Sequence, residues 1–378
     1  MNKKVLAVAV SSALAAPMAA HAVKYKLSGQ INRAAVYAND GDRSDIQFID
    51  NQSSGTRWRL TGSEDIGGGS KVGFNWEWQN SQNPSGAPIG SADFGEGETM
   101  RKAEVWFSGG WGKVSLGQGD GAGNGTTEVD LSDTWNVAYT GRSSFGGAVA
   151  WRTNAGGTVK TGAPSFGINP GTGLIQASTG NLTHGATFSH FDSYSRYDRV
   201  RYDTPALGPV TLAISAGQAD KYEGAARWSQ GIGGGQISAG LFYGSSGGGP
   251  ATTGTSRYGG SIAYLFSFGL NLQAQYSENE PSPDGSTKGK NWYAKIGYKF
   301  GNNAVAVGYG ESKDIVVGFK DKGFNIGFNH NLPKAKVDLY AGIAGNSLDM
   351  PTGTVGTGGG TSVDDIYTIT VGTKLKFD

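Results

Sequence analysis

Eight charged side chains have the types and spacing to act on ions. Arg57 and Arg59 flank Trp58 and share the polar phase of one alternating segment. Lys26, Lys71 and Lys102 fall on the polar phases of similar segments. Glu128, Asp130 and Asp133 lie close together in 121–193, the longest stretch of the chain without clear alternation. Facing rows of opposite charge across a narrow aqueous gap create a transverse field, which sorts ions by sign and orients polar solutes. The expectation is that the two arginines stand on a wall opposite the three carboxylates.

Other chemistries fit these residues less well. The three acids could hold Ca²⁺, but their spacing is not that of an EF-hand loop, and solvated loop charges account for them. His184 and His190, six residues apart, form at most a weak metal pair. Gly117-Gln118-Gly119-Asp120-Gly121-Ala122 loosely fits a phosphate loop, yet it lacks the Lys-Ser/Thr pair and a following helix. A barrel lipase would need a Ser–His pair with an orienting partner, and no convincing Ser stands near a His. The chain has no cysteine, so thiol nucleophiles and cysteine zinc sites are excluded. No cofactor and no enzymatic activity are expected.

The elements that must carry these charges read with a period of two. Trp292, Ala294, Ile296, Tyr298 and Phe300 share one phase, and Asn291, Tyr293, Lys295 and Lys299 the other. Val72, Phe74, Trp76 and Trp78 alternate with Lys71, Asn75, Glu77 and Gln79. A helix would scatter these apolar residues around its surface, so the segments are strands. About sixteen are predicted: 24–37, 56–66, 70–80, 101–110, 112–120, 194–204, 208–218, 221–230, 234–244, 255–266, 268–278, 290–300, 303–311, 319–330, 335–345 and 364–377. Short Gly- or Pro-containing turns, such as 66–70 and 109–112, alternate with longer polar links, such as 38–55 and 81–100. Even strand number, short turns at one end and long loops at the other describe a transmembrane antiparallel β-barrel. A soluble sandwich could also bury one phase. Strands of about ten residues and aromatics near strand ends favour the membrane. An open edge in hydrocarbon would leave backbone groups unpaired, so 364–377 should close on 24–37.

Composition agrees. Of 378 residues, 64 are Gly, and only 37% are apolar and 17% charged. The mean hydropathy of −0.35 and the absence of long apolar runs exclude a helical membrane bundle. With 32 basic and 31 acidic residues there is no global positive field, and no nucleic-acid partner is expected. Asn2-Lys3-Lys4, the apolar stretch 5–20 and Ala20-His21-Ala22 fit a secretory leader cleaved after Ala22. Residues 23–378 would then form one barrel domain.

That chain resembles the general trimeric porins of Gram-negative outer membranes. The likeness is carried by Leu27-Ser28-Gly29-Gln30-Ile31-Asn32-Arg33, by Trp58-Arg59-Leu60-Thr61-Gly62-Ser63-Glu64-Asp65-Ile66, by Val114-Ser115-Leu116-Gly117-Gln118-Gly119 and by Arg199-Val200-Arg201-Tyr202-Asp203-Thr204-Pro205. One departure is Asp378, which follows Phe377 where the family usually ends on an aromatic. The resemblance implies an all-β barrel of sixteen strands in the outer membrane, a homotrimer, contact with membrane lipid and lipopolysaccharide, and a third external loop folded into the lumen, here 121–193. It implies passive diffusion of small hydrophilic solutes and ions, with Arg57, Arg59, Lys26, Lys71, Lys102, Glu128, Asp130 and Asp133 as candidate constriction residues. A channel selective for a sugar or an oxyanion, and a structural or adhesive barrel, are the alternatives.

Overall fold

The computed structural model describes residues 23–85, 89, 97–155, 157–159, 165–168, 175–178, 181–247, 254–281, 287–351 and 362–378. The expected leader, 1–22, lies outside the described residues.

The first strands are β1 (Lys24–Asn39), β2 (Ser44–Asp50), β3 (Arg57–Gly67), β4 (Ser70–Ser81), β5 (Gly97–Gly109) and β6 (Gly112–Asp120). A small hairpin, β7 (Ser165–Ile168) and β8 (Ile175–Ser178), forms a separate two-stranded sheet. The chain then runs through β9 (Arg196–Asp203), β10 (Val210–Gly217), β11 (Lys221–Ile232), β12 (Gly235–Ser246), β13 (Thr255–Leu265) and β14 (Leu270–Pro281). The last strands are β15 (Gly289–Phe300), β16 (Asn303–Lys313), β17 (Lys320–Leu332), β18 (Val337–Asp349) and β19 (Ile366–Phe377).

All but the hairpin belong to one 17-stranded antiparallel sheet in which each strand pairs with its neighbours. The ring closes where β1 pairs with β19, from Gly29↔Phe377 to Asn39↔Tyr367. No sheet edge is left to face lipid, where unpaired backbone groups would be costly. Asp378, the departure at the chain end, pairs with Lys26 of β1 at 3.2 Å and with Lys336 before β18, so it ties the seam.

β2 and β3 are one barrel stave, broken in the middle. β2 pairs with Arg33–Asn39 of β1, and β3 pairs with Lys24–Gln30 of the same strand. Counted this way the barrel has sixteen staves. The predicted loop over 38–55 is therefore corrected, because 44–50 is a strand whose Ile46 and Phe48 point outward and whose Gln47 and Ile49 are buried. Asp50 and Asn51 make the break. The Asp50 carboxylate accepts the Thr56 amide at 3.1 Å, and the Asn51 side chain accepts the Ser53 amide at 3.0 Å. Such local side-chain bonds offer the backbone an alternative to the ladder. Gln30 and Asn32 of β1 bond the freed carbonyls of Ser54 and Gly55.

The two phases meet different surroundings. On β15, Trp292, Ile296, Tyr298 and Phe300 are exposed outward, while Asn291, Tyr293 and Lys295 are buried on the inside. A cation at the lipid-facing midplane costs about 2–4 kcal/mol, which explains why the mid-strand charges sit on the inner phase. The short turns are built for reversal. Gly233 and Gly234, between Ile232 and Gly235, both have positive φ (60° and 76°), the backbone of a two-residue hairpin turn.

Candidate functional site

The inner face of β3–β6 and β9 carries a wall of arginines. β3 and β4 place Arg59 directly opposite Glu77 and Arg57 opposite Gln79. Between β4 and β5 the register slips, so that Glu77 faces Lys102 and Trp78 faces Met100. The extra residue is Arg101. This bulge turns both Arg101 and Lys102 to the inside, where strict alternation would allow only one. Bulges of this kind re-aim side chains, and here the result is a charge cluster.

Glu77 is the hub, with its side chain 1% exposed. Arg101 donates Nε to it at 2.5 Å, Arg59 donates Nε at 2.6 Å, and Arg57 Nη1 lies at 3.9 Å. One carboxylate thus serves three guanidinium groups. Arg57 also donates to Ser54 Oγ at 2.9 Å and Arg101 to Gln79 Oε1 at 2.7 Å. Next along the wall, Asp120 accepts Lys102 at 2.5 Å and stands 2.8 Å from Arg196. Arg199 bonds Glu104, and Arg201 bonds Asp203. Arg227 of β11 spends its guanidinium on the carbonyls of Ala122 and Asn124, both at 2.8 Å. Eight cations stand against the four acids Glu77, Glu104, Asp120 and Asp203, an excess of four positive charges.

The segment after Asp120 attaches to inner-phase side chains of the remaining strands. Glu223 of β11 accepts the amides of Gly123 (3.0 Å) and Tyr194 (2.8 Å), so it holds both limbs of the segment. Ser261 of β13 donates to the carbonyl of Thr126 and accepts the amide of Val129. Lys295 of β15 reaches Asp130 at 2.8 Å and the carbonyl of Ala138 at 2.9 Å. Asn325 of β17 donates to the carbonyl of Tyr139, and Lys374 of β19 to Asn136 Oδ1 at 2.8 Å. Arg142 forms a fully buried pair with Asp321 at 3.0 Å. At the break between β2 and β3, Trp135 donates to the Ser53 carbonyl at 2.7 Å.

The candidate residues separate into groups. Arg57, Arg59 and Lys102 belong to the wall, and Arg101, which sequence reasoning missed, joins them. Lys26 and Lys71 are not brought there. Lys26 sits at the end near Asp378, and Lys71 lies opposite Asp65 and Ser108 beside a short turn. Their phase was read correctly, but phase gives no depth along the barrel. The carboxylates do not contact Arg57 or Arg59. Glu128 pairs with His190 at 2.8 Å, Asp130 with Lys295, and Asp133 with Lys299. That spread also removes the Ca²⁺ reading of the trio. The histidines are likewise apart, since His184 Nδ1 bonds Asp321 at 2.7 Å while His190 bonds Glu128. Among the described residues no three acids or histidines gather as metal ligands. The Gly-rich stretch 117–122 is a strand end, and Arg199 bonds the Gly117 carbonyl at 2.9 Å.

One loop cluster titrates unusually. Asp192 accepts the Gly125 amide at 2.8 Å and the Thr127 hydroxyl at 2.9 Å. Burial, and then the charge of Glu128, push its carboxyl up to about 7. Burial pulls the His190 imidazole down, and the hydrogen bond and charge of Glu128 more than reverse it, so it titrates above its ordinary value.

A family profile described as Gram-negative porin matches residues 6–349. The chain belongs to that family. It is an outer-membrane barrel through which small hydrophilic solutes and ions diffuse passively. Among solved structures, it is similar to an anion-selective porin from Comamonas acidovorans, with 18% identity and a TM-score of 0.62 over 94% of this chain and all (100%) of that one. It is also similar to in-vitro folded OmpT of Vibrio cholerae in its trimer form, with 10% identity and a TM-score of 0.56 over 94% and 100%. A porin mutant of Rh. blastica gives 14% identity and a TM-score of 0.52 over 94% and 100%. No curated protein sequence matches the chain.

Proposed function

We propose that the arginine wall and the segment 121–193 form the constriction of this channel, and that its fixed field favours small anions. The observation that carries this is Glu77: three inner-phase guanidinium groups surround a single carboxylate, which leaves local positive charge beside an aqueous path. The bonds from β10–β19 to residues 122–142 support a loop laid across the inside of the barrel. Arg57, Arg59, Arg101 and Lys102 act as the field-bearing wall, and no covalent step is involved. Glu128, Asp130 and Asp133 serve chiefly to fasten the loop, with Asp133 the most exposed of them (side chain 63%). The likeness to an anion-selective porin points the same way.

The working assembly is a homotrimer in contact with outer-membrane lipid, and residues 1–22 are its export leader. The basic cluster also favours a second reading, a channel with a saturable site for an oxyanion. Planar-bilayer recordings separate the two. Non-selective diffusion gives linear conductance, and millimolar phosphate leaves chloride current unchanged. A saturable site gives phosphate block that Arg101→Gln relieves. A cation-selective reversal potential would overturn both.

A further inference from the structure

The inner wall of β15–β19 is not sealed along its whole height. At the short-turn end a cavity of about 350 Å³ lies between the loop residues Asp133–Asn136 and the last inner-phase side chains of the wall. Pockets for small molecules start at about this size, roughly 300 Å³. Trp135 lines the loop side, and Asn329, Asn331, Asp338, Lys374 and Lys376 line the wall. The cavity adjoins the arginine wall across the barrel seam. Lys376 of β19 stands directly opposite Gln30 of β1, and Gln30 directly opposite Arg57 of β3.

Part of this polar lining is already spent. Asp338 pairs with Lys374 at 3.1 Å and accepts Asn331 Nδ2 at 2.7 Å. Lys374 also donates to Asn136 Oδ1, and Asp133 pairs with Lys299. Three ammonium groups thus face two carboxylates, a surplus of one positive charge. The surplus falls at Lys376, which is 53% exposed and stands 3.8 Å from an Asp338 that Lys374 holds closer. Two neutral groups also keep bonding capacity. Asn329 spends its oxygen on Asn136, while its Nδ2 donor bonds nothing among the described residues. Asn331 spends its Nδ2 on Asp338, while its Oδ1 acceptor receives no donor among the described residues.

One cation, one donor and one acceptor define the ligand. A hydroxyl both donates and accepts, so neighbouring hydroxyls serve Asn329 and Asn331 together. An inorganic anion only accepts and would leave Asn331 Oδ1 unmet. A carboxylate serves Lys376 through a charge-assisted bond. Trp135 adds a flat apolar surface, held in place by its stacking on Tyr139 (4.8 Å) and its bond to the Ser53 carbonyl. An aromatic wall with a few placed polar groups is the usual make-up of a small-molecule pocket. We propose that this cavity is a binding subsite for a sugar acid, a polyhydroxylated carboxylate of monosaccharide size, reached after the solute passes the arginine wall. The inference rests on the anion-favouring reading of the channel. It deepens that reading by naming a solute class and a second station on the path.

The test is isothermal titration calorimetry on the full mature protein in detergent, with D-glucuronate, D-glucose and acetate as probes. Glucuronate should bind roughly tenfold tighter than glucose, and acetate more weakly than either. Lys376→Gln should abolish the advantage of glucuronate while leaving glucose affinity as it was, and Lys376→Arg should retain it. Asn329→Ala should weaken both sugars. Should Lys376→Gln fold poorly, the wild-type order of the three probes and the Asn329→Ala titration still decide. Equal affinity for glucuronate and glucose, acetate binding as tightly as glucuronate, or an advantage that survives Lys376→Gln would overturn the proposal. So would the absence of binding by a preparation whose reversal potential favours anions. A reversal potential that favours cations would instead count against the channel reading itself.

Discussion

The inner face of β3–β6 and β9 and the inner face of β10–β19 use the same alternation for opposite ends. On the first, the charges are unbalanced and partly open, with Arg59 at 43% side-chain exposure and three arginines around one acid. On the second, the charges that meet the loop deepest are paired and dry. Lys295 with Asp130 and Arg142 with Asp321 are each 5% exposed or less. The difference lies in what covers them. The segment after Asp120 supplies carbonyls, carboxylates and an arginine to the second face, and so turns lumen charges into anchors. The first face keeps its guanidinium groups partly exposed, as the proposed constriction requires. Buried matched pairs give little net stability but are costly to break, whereas exposed like charges cost some stability and supply a field.

The comparison can be broken most forcefully at the anchor. Asp321→Ala leaves Arg142 and His184 without their shared acceptor. The expected loss is about 3–5 kcal/mol, seen as a lower unfolding temperature together with noisier, larger conductance as the loop detaches. Asp321→Asn should recover part of both. The wall gives the next effect. Arg57→Glu with Arg59→Glu cancels the wall's excess of four positive charges and should bring the reversal potential close to zero, with a smaller fall in unfolding temperature than Asp321→Ala gives. If instead the wall variant unfolds early and selectivity stays fixed, the two faces have been assigned the wrong way round.

The loop cluster sharpens the contrast by pH. A carboxyl raised in the folded state to about 7, as Asp192 is, stabilises the fold below its unfolded value near 4 and loses that contribution as pH rises towards 7. His190, also raised, loses its contribution as pH climbs past its ordinary value near 6.5. Both act in the same direction, so loop attachment should weaken between pH 4 and 8. Asp192→Asn should match wild type near pH 4 and exceed it at pH 8, on the order of 1–3 kcal/mol, measured by denaturation at the two pH values. The smallest change expected is at a turn remote from both faces. Gly234→Ala meets no atom closer than 3.9 Å, so only its positive φ matters. It should cost about 1 kcal/mol and leave conductance untouched.

Much of this was legible from residue types. Alternation over 290–300 and 366–377 is unbroken, so sides and closure followed directly. Two local devices hid the rest. The break at Asp50–Thr56 disguised a strand as a loop, because it interrupts the ladder without interrupting the stave. The bulge at Glu77–Trp78 hid Arg101, although the pair Arg101-Lys102 within a strand is the signal that could have exposed it. Lys26 and Lys71 show a limit of a different kind, since period two gives the side of a sheet but not the height along it. The partners of Glu128, Asp130 and Asp133 were out of reach because a loop's contacts depend on strands far away in sequence.

The central claim, that the open inner face carries surplus positive charge, is tested most directly by the reversal potential of the wild-type protein in a planar bilayer under a tenfold KCl gradient. The account predicts a potential displaced towards the chloride equilibrium value. A potential at zero, or displaced towards that of potassium, would contradict it.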